Sequence, residues 1–536
     1  MKRGKPPKAE RKAPGSAPSG RRVSFGFLIF TVLLTGCGVI MLEMLGARIA
    51  GPVFGVSLYI WTALIAVTLI SLSLGYWLGG VLSDRRPQAD VMYGLILASG
   101  LVIAFLPWLN GPVLAGCYRA LGLRLGLLAG AFALFAPPLT LLGMVSPFAI
   151  KLALADLERA GKTAGALYAL STVGSVAGAV LTGYFLIPVI GVSRTLLVVT
   201  AVILTPPAIW FALGRRWGAL AGAGMVLFLG AVTAVARPGR APLTENVVVV
   251  DSRDSLYGQI KVIDRYSDRG SIRWLLLEGT SQTGVYLDSN ELVSNYAIVM
   301  ADFLRFHPPP GKRALLVGLG GGALLRPLSA AGFQVDVVEI DPLVAQVAAQ
   351  YFGCKPEGYR LICEDGRAYI RRTDQRYDAI LFDVFSGGGQ PFHLFSREAF
   401  EETRRVLAPG GVVGVNVIAF PRGPRQAMAA SLHRTLSSVF PHGRVFVSYP
   451  EDPAEDLNNI LMFFSEAAFA EPDPASMSPK DAEEWDWLCR GRISYGPQEG
   501  VLVTDDWNPV DRWTAQVNEA WRERIFQDLG PEILTY

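Results

Sequence analysis

Seven apolar windows, each long enough to cross a bilayer as a helix, fill most of the first 240 residues and restrict what that half of the chain can become. Crossing ~30 Å of hydrocarbon takes ~20 apolar helical residues, and the windows 24–47, 57–82, 91–109, 125–150, 163–190, 193–213 and 218–236 qualify. Composition agrees: of 536 residues, 51% are hydrophobic and 18% charged, against roughly 25% charged in an ordinary soluble domain. The Pro137-Pro138 pair and the small-residue series Gly174, Gly178, Gly183 suit helices that pack closely in lipid. Residues 1–22 are rich in Lys, Arg, Pro, Gly and Ser, have almost nothing to bury, and are expected to form a disordered basic tail. Long apolar runs follow them, rather than a short core with a small-residue cleavage site, which argues against a removed signal peptide.

Charge divides the chain. Residues 1–240 hold 21 Lys+Arg and 6 Asp+Glu, while the remainder holds 28 and 40, so the second half is acidic and a nucleic-acid partner is not expected. Basic residues flanking the windows set orientation. The eight Lys+Arg of the tail, Arg85-Arg86, Lys151 with Arg159 and Lys162, and Arg215-Arg216 share one side if the amino terminus is cytoplasmic. Seven spans would then put the carboxyl half outside, against the cytoplasmic location its chemistry suggests below. A re-entrant segment 112–123 or one misread window would reconcile the two. Glu43 and Arg48 fall in or beside the first window, where pairing, snorkelling to the interface, or a path for substrate or ions all stay open. Cys37, Cys117, Cys354, Cys363 and Cys489 show no paired spacing, so reduced thiols and no metal are expected.

From Pro242 the pattern becomes that of a soluble protein. VVVVDS, GQIKVID, WLLLEG and TGVYL read as short strands within a small β-domain, 241–307. After Pro308-Pro309-Pro310-Gly311, strands ALLVG, QVDVVEID, YRLIC, YDAILFDVF and GVVGVNVI alternate with helical candidates 323–331, 342–352, 366–372 and 396–407. Alternation of this kind predicts a parallel sheet wrapped by helices across 308–536. The expected organisation is therefore a tail, 1–22, a multi-span helical domain, 23–240, the small β-domain, and an α/β nucleoside-binding domain.

Strand ALLVG runs into Gly318-Leu319-Gly320-Gly321-Gly322, and the next strand ends in Glu339, 21 positions beyond Gly318. Glycines let the backbone approach a nucleotide, and an acid about 20 positions on accepts hydrogen bonds from ribose hydroxyls. Asp365-Gly366 follows the third strand and Asp383 the fourth. Ligands of open parallel sheets sit beyond the carboxyl ends of strands, so Glu339, Asp365 and Asp383 are expected to converge there. A glycine-rich turn with solvated acids is the alternative.

VGLGGGALLRPL, VVEIDPLVAQVAAQYF, EDGRAYI, YDAILFDVFS and RVLAPGGVVGVNV together resemble the spermidine synthase family of polyamine aminopropyltransferases, built on the class I methyltransferase (Rossmann-like) fold. YGQIKV, LLLEGTSQTGVY and Asn295-Tyr296 resemble the small β-domain that precedes that fold in the family. LEMLGARIAGPVFG, LSLGYWLGG and YALSTVGSVAGAVLTGYFLIPVIG resemble the multi-span part of bacterial proteins fused to such a domain.

The resemblance implies a multi-pass protein of the cell membrane with a cytoplasmic catalytic domain. Its partners would be the lipid bilayer and a small-molecule amine, and a homo-oligomer stays open. It further implies decarboxylated S-adenosylmethionine or S-adenosylmethionine as cofactor, with aminopropyl transfer to an amine as the leading reaction. Methyl transfer and a non-catalytic polyamine- or nucleoside-sensing transporter stay open. Gln259, Gly318, Gly320, Glu339, Asp365 and Gly366 would bind the cofactor, and Asp383 would accept the amine's proton. Weaker acceptor contacts are expected at Gln282, Tyr296, Ser386, Asp505 and Asp506; Asp505 and Asp506, beside Trp507, would meet an organic cation or else form a solvated turn. His393 is a second base or an ordinary loop histidine. The chain departs from the family at Gly321 and Ser386, where the family has Asp, and at Ala297-Ile298, where it has His-Glu after the tyrosine. Two carboxylates that would hold a cationic diamine are thus replaced.

Overall fold

A computed structural model describes residues 23–529, apart from 56–57, 155–159, most of 217–240, 245, 269, 386–388 and 454. The tail 1–22 and nearly all of the window 218–236 lie outside the described residues.

The apolar windows form long helices. They are α1 (Phe25–Phe54), α2 (Leu58–Arg85), α3 (Ala89–Gly143), α4 (Val145–Ala153), α5 (Ala160–Val180) and α6 (Ile187–Leu213), with a π-helical turn Leu181–Leu186 joining the last two. Among the described residues, four stretches are apolar and long enough to cross a membrane, and two of these, Ala89–Ala153 and Ala160–Leu213, have 65 and 54 residues. One pass needs ~20 residues, so each can cross twice. Both break at a glycine in a conformation that L side chains rarely adopt: Gly122 has φ 70° and Gly191 has φ 79°. The first stretch folds back on itself, because Ser99 Oγ donates to the Pro138 carbonyl at 3.0 Å. The four stretches thus hold six of the seven windows. Close packing of α1 on α5 depends on missing side chains, since a Cβ on Gly174 would stand 2.1 Å from the Leu33 oxygen. Leu69, Trp77, Val176 and Val189 are left exposed, a surface that water penalises and hydrocarbon does not.

The second half builds two sheets. Strands β1 (Ala241–Thr244), β2 (Val247–Asp254), β3 (Gln259–Arg265), β4 (Ile272–Leu277) and β5 (Thr280–Tyr286) form an antiparallel meander in sequence order. Helix α7 (Tyr296–Phe306) follows, and its buried side chains join the core of the larger sheet rather than that of the meander.

The larger sheet comprises β6 (Arg313–Val317), β7 (Gln334–Val338), β8 (Arg360–Ile362), β9 (Tyr377–Phe382), β10 (Leu407–Ala419), β11 (His442–Val447), β12 (Asn458–Ser465) and β13 (Arg492–Ile493). Its strand order is β13-β11-β12-β10-β9-β6-β7-β8, with β8, β7, β6, β9 and β10 parallel and β12 antiparallel to β10. That order, with a reversed strand inserted beside β10, is the class I methyltransferase-like arrangement. Helices α8 (Leu325–Ala330), α9 (Pro342–Tyr351), α10 (Gly366–Arg372) and α11 (Arg397–Val406) alternate with the parallel strands, and α12 (Ala427–Ser437), α13 (Pro479–Arg490) and α14 (Val510–Leu529) complete the half. Chain direction switches sides between β6 and β9, which opens a crevice at their carboxyl ends.

The soluble half docks on one end of the helical bundle. Arg48, near the end of α1, donates to the Leu256 carbonyl at 2.6 Å and lies 3.7 Å from the Glu278 carboxylate. Val192 N, freed by the break at Gly191, donates to Asp254 Oδ2 at 2.9 Å. Arg124 pairs with Glu519 at 3.1 Å, and the Tyr118 and Phe526 rings lie 3.8 Å apart. Arg522 on α14 is fully buried and donates to the Glu278 carbonyl at 2.9 Å and to the Pro52 carbonyl. Burial lowers its pKa to about 10 and raises that of Glu278 to about 7. Arg522→Ala would leave these two buried carbonyls without their donor, and a hydrogen bond to a charged group is typically worth about 1.5–3 kcal/mol. Arg522→Ala is therefore expected to lower the thermal midpoint of the full-length protein markedly. Arg522→Lys should recover little of it, because an ammonium cannot reproduce the guanidinium fork.

Candidate active site

The crevice at the switch point is floored by the glycine loop. Gly318 leaves β6 with φ 91°, and a Cβ there would stand 2.2 Å from the Asp383 carbonyl oxygen, so only glycine lets β6 and β9 deliver their ends side by side. Gly320 also has positive φ, at 54°. Glu339, just beyond β7, is buried beneath this loop: its Oε2 accepts from Leu319 N and its Oε1 from Asp341 N, both at 2.9 Å. Burial raises its pKa, and the two amide hydrogen bonds oppose the rise.

Asp365 caps α10. Its Oδ1 accepts from Ala368 N at 2.9 Å, and its Oδ2 lies 2.8 Å from His393 Nε2. Burial works against its charge, but the Ala368 amide and His393 outweigh it and hold the carboxyl below its ordinary range. His393 thus stands against a carboxylate of this crevice. Gln259 N donates to Glu278 Oε1 at 2.8 Å, which ties the start of β3 to the docking interface.

These residues line a cavity of about 400 Å³ between the meander and the sheet, within the range of small-molecule sites. Gln259, Gly318, Gly320, Glu339, Asp365, Gly366 and Asp383 all reach it. Carboxylates dominate the wall: Glu278, Asp341, Glu364 and Asp511 add to Glu339, Asp365 and Asp383, with no Lys or Arg among the described lining residues.

A second cavity, of about 240 Å³, shares Gln282, Gly320, Asp383 and Phe385 with the first. Asp383 sits at the junction. Its Oδ2 accepts from Tyr296 Oη at 2.9 Å and its Oδ1 from Asn416 Nδ2 at 2.8 Å, while Asn459 Nδ2 donates to Asn416 Oδ1 at 3.0 Å. Burial raises the Asp383 pKa, and the two hydrogen bonds oppose it. The Tyr296 hydroxyl is pushed well above its usual range by burial and by the neighbouring carboxylate, so it stays protonated and donates. A carboxylate in this position can take a proton from a group in the smaller cavity.

Gln282 and Tyr296 line the smaller cavity, whereas Ser386 lies outside the described residues. Asp505 and Asp506 line neither cavity. The Asp505 carboxylate is taken by Arg367 at 2.7 and 2.8 Å and by Ser396 at 2.5 Å, and the Arg367 contact above all lowers its pKa to about 2. Sequence reasoning missed Asn416, Asn459, Tyr449 and Asp511. Asn416 had a signal, as the one polar side chain in the apolar run GVVGVNVI; the others had none.

Residues 294–450 match the spermine/spermidine synthase domain. The chain carries such a domain. Around this spermidine synthase domain, the chain is 34% identical to the polyamine aminopropyltransferase of Vibrio vulnificus over 180 residues, which cover 32% of this chain and 60% of that protein. It is also 34% identical over 177 residues to the N-terminal histidine N-methyltransferase of Emericella nidulans, 31% of each protein. Among solved structures, a probable spermidine synthase from Corynebacterium glutamicum is similar at 20% identity and a TM-score of 0.37, over 50% of this chain and 92% of that one. The chain thus spans less than two thirds of the two curated relatives' lengths.

Proposed function

We propose that this chain is a membrane-embedded transferase that moves an aminopropyl group from decarboxylated S-adenosylmethionine to an amine. The meeting of an acidic cavity and a second cavity at Asp383 carries this reading. The larger cavity suits a sulfonium nucleoside, because its carboxylate wall favours a cation. Glu339 would hold the ribose hydroxyls with the lone pairs its two amide contacts leave free, and Asp365 would hold the adenine end. When bound, the sulfonium supplies an electrophilic carbon and departs as a neutral thioether. Asp383 would take the acceptor's proton at a carboxylate oxygen, so that the nitrogen attacks with its lone pair free. Tyr296 and Asn416 hold that carboxylate in place.

The relatives include an aminopropyltransferase and a methyltransferase, and both transfers use the same cofactor class. Methyl transfer is therefore the companion reading, favoured by one observation: a Cβ at Gly321, where the family carries an acid, would stand 2.7 Å from Thr283 Cβ. Full-length protein incubated with each cofactor and a panel of amines should yield a product that has gained propylamine or methyl by mass spectrometry. No product with either cofactor would overturn the transferase reading. Glu339→Ala is expected to weaken methylthioadenosine binding by roughly 1.5–3 kcal/mol, the range for hydrogen bonds to charged groups. Calorimetry checks this, and unchanged affinity would remove Glu339 from the site.

The bundle supports residence in a membrane, and its charges bear on which side the soluble half faces. Arg85, Arg86, Lys151, Arg215 and Arg216 flank one end, where Lys151 pairs with Asp84 and Arg216 with Asp90. The chain also enters α1 at this end, since Phe27 and Tyr93 lie 5.5 Å apart. The soluble half docks on the opposite end. Under the positive-inside rule, the docked half faces away from the cytoplasm, against the location expected from the cofactor. That arrangement favours a further reading, a nucleoside- or polyamine-binding sensor that does not turn over.

A further inference from the structure

The two cavities that meet at Asp383 differ in sign. Among the described residues, the larger one holds only carboxylates as charged lining groups, apart from His393. The smaller has Asp383 as its one described carboxylate, together with Arg265 and Arg524. Neither arginine has a carboxylate within 4.0 Å among the described residues. Trp274 and Trp521 also line this cavity, and their indole N–H groups are buried with no hydrogen-bond partner among the described residues. Buried donors without acceptors are costly. An occupant rich in acceptor oxygens would relieve that cost, and two guanidinium groups favour one that is negatively charged.

A diamine dication has neither property. The position at which the family holds its second nitrogen is also closed here, because Gly321 packs against Thr283, and Gly321 N donates to Thr283 Oγ1 at 3.0 Å. Two cations facing a dicationic acceptor would repel it. An amine that also carries an anion would place its nitrogen at Asp383 and its charge against the arginines.

We propose that the ligand of the smaller cavity is a zwitterionic amine, whose phosphate or carboxylate is bound by Arg265, Arg524 and the two indole N–H groups. This rests on the reading of the smaller cavity as the site of the amine, with Asp383 beside its nitrogen. Such an amine has two sources, a soluble metabolite or an aminophospholipid headgroup. The wall of the cavity is continuous with the bundle, since Ile525 belongs to the same apolar core as α1 to α6, with Trp274 and Trp521 packed against it. A headgroup at the bilayer surface would thus lie near this wall.

The test uses the full-length protein in detergent, loaded with methylthioadenosine, and measures binding of three probes by calorimetry: phosphoethanolamine, γ-aminobutyrate and 1,4-diaminobutane. Vesicles of phosphatidylethanolamine, against phosphatidylcholine, form the lipid arm. At least one zwitterion should bind more tightly than the diamine, and Arg265→Gln with Arg524→Gln should weaken it roughly tenfold or more while methylthioadenosine affinity stays unchanged. Arg265→Glu with Arg524→Glu should invert the preference toward the diamine. Selective binding of phosphatidylethanolamine vesicles would identify the lipid source, and binding of soluble probes alone the metabolite source. Tighter binding of the diamine, or zwitterion binding indifferent to the arginine variants, would overturn the proposal. Because the readout is binding, arginine-dependent zwitterion binding without turnover would leave this proposal standing and remove the transferase reading instead.

Discussion

Asp383→Asn is expected to lower turnover about 10²–10⁴-fold, the usual worth of a positioned general base. The substitution keeps the shape of the side chain and its place between Tyr296 and Asn416, but an amide cannot accept the proton an attacking amine must lose. Cofactor affinity should change little, because Glu339 and Asp365 stand at other strand ends. Burial also makes the native carboxyl more basic than an ordinary aspartate, which suits it to proton removal. Turnover measured beside methylthioadenosine affinity separates three cases. A large loss of rate with intact binding supports proton transfer at Asp383. Methyl transfer to an already neutral acceptor would show a smaller loss, since it needs positioning more than proton removal. Full activity in the variant would exclude the general base whatever the acceptor proves to be.

Alkaline phosphatase fused after Tyr536 is expected to be active, an all-or-none effect, because that enzyme matures only outside the cytoplasm. The expectation follows from which end of the bundle carries the soluble half. Arg48, Arg124 and Val192 mark the docked end, and the basic pairs Arg85-Arg86 and Arg215-Arg216 mark the other. Basic flanks favour the cytoplasmic side. An inactive phosphatase, with an active reporter of cytoplasmic location at the same place, would put the domain beside the cofactor supply and overturn the assignment. An active phosphatase together with turnover would require the donor to reach the far side of the membrane. An active phosphatase without turnover would favour the sensor.

Local patterns made much of the architecture legible. A run of ~20 apolar residues has few fates, so the helices of the first half follow from hydropathy alone. Strand and helix alternation, with glycine where β6 ends, likewise reflects chemistry carried within a few residues. The acids Glu339, Asp365 and Asp383 stand at strand ends because their apolar strands end there, and periodicity shows where that is. The same logic fails for contacts across the fold. Asp505 was expected either to meet a cation or to sit in a solvated turn, yet Arg367, 138 positions away, occupies its carboxylate. Tyr296 and Asn416 reach Asp383 from 87 and 33 positions away, and no local pattern shows that the three meet.

What the sequence determined by itself was the division into an apolar, basic half and a polar, acidic half, and the glycine loop and acidic strand ends that line the larger cavity. Burial periodicity and backbone freedom act between near neighbours and can be read in order along the chain. Only the tertiary structure decided that a second cavity opens at Asp383, that Arg265 and Arg524 line it beside that one acid, and which contacts join the second half to the bundle. Those outcomes depend on sheet order and on docking contacts such as Arg522 with Pro52 and Glu278, in which groups hundreds of residues apart are desolvated together, and no local pattern encodes which partner each will find.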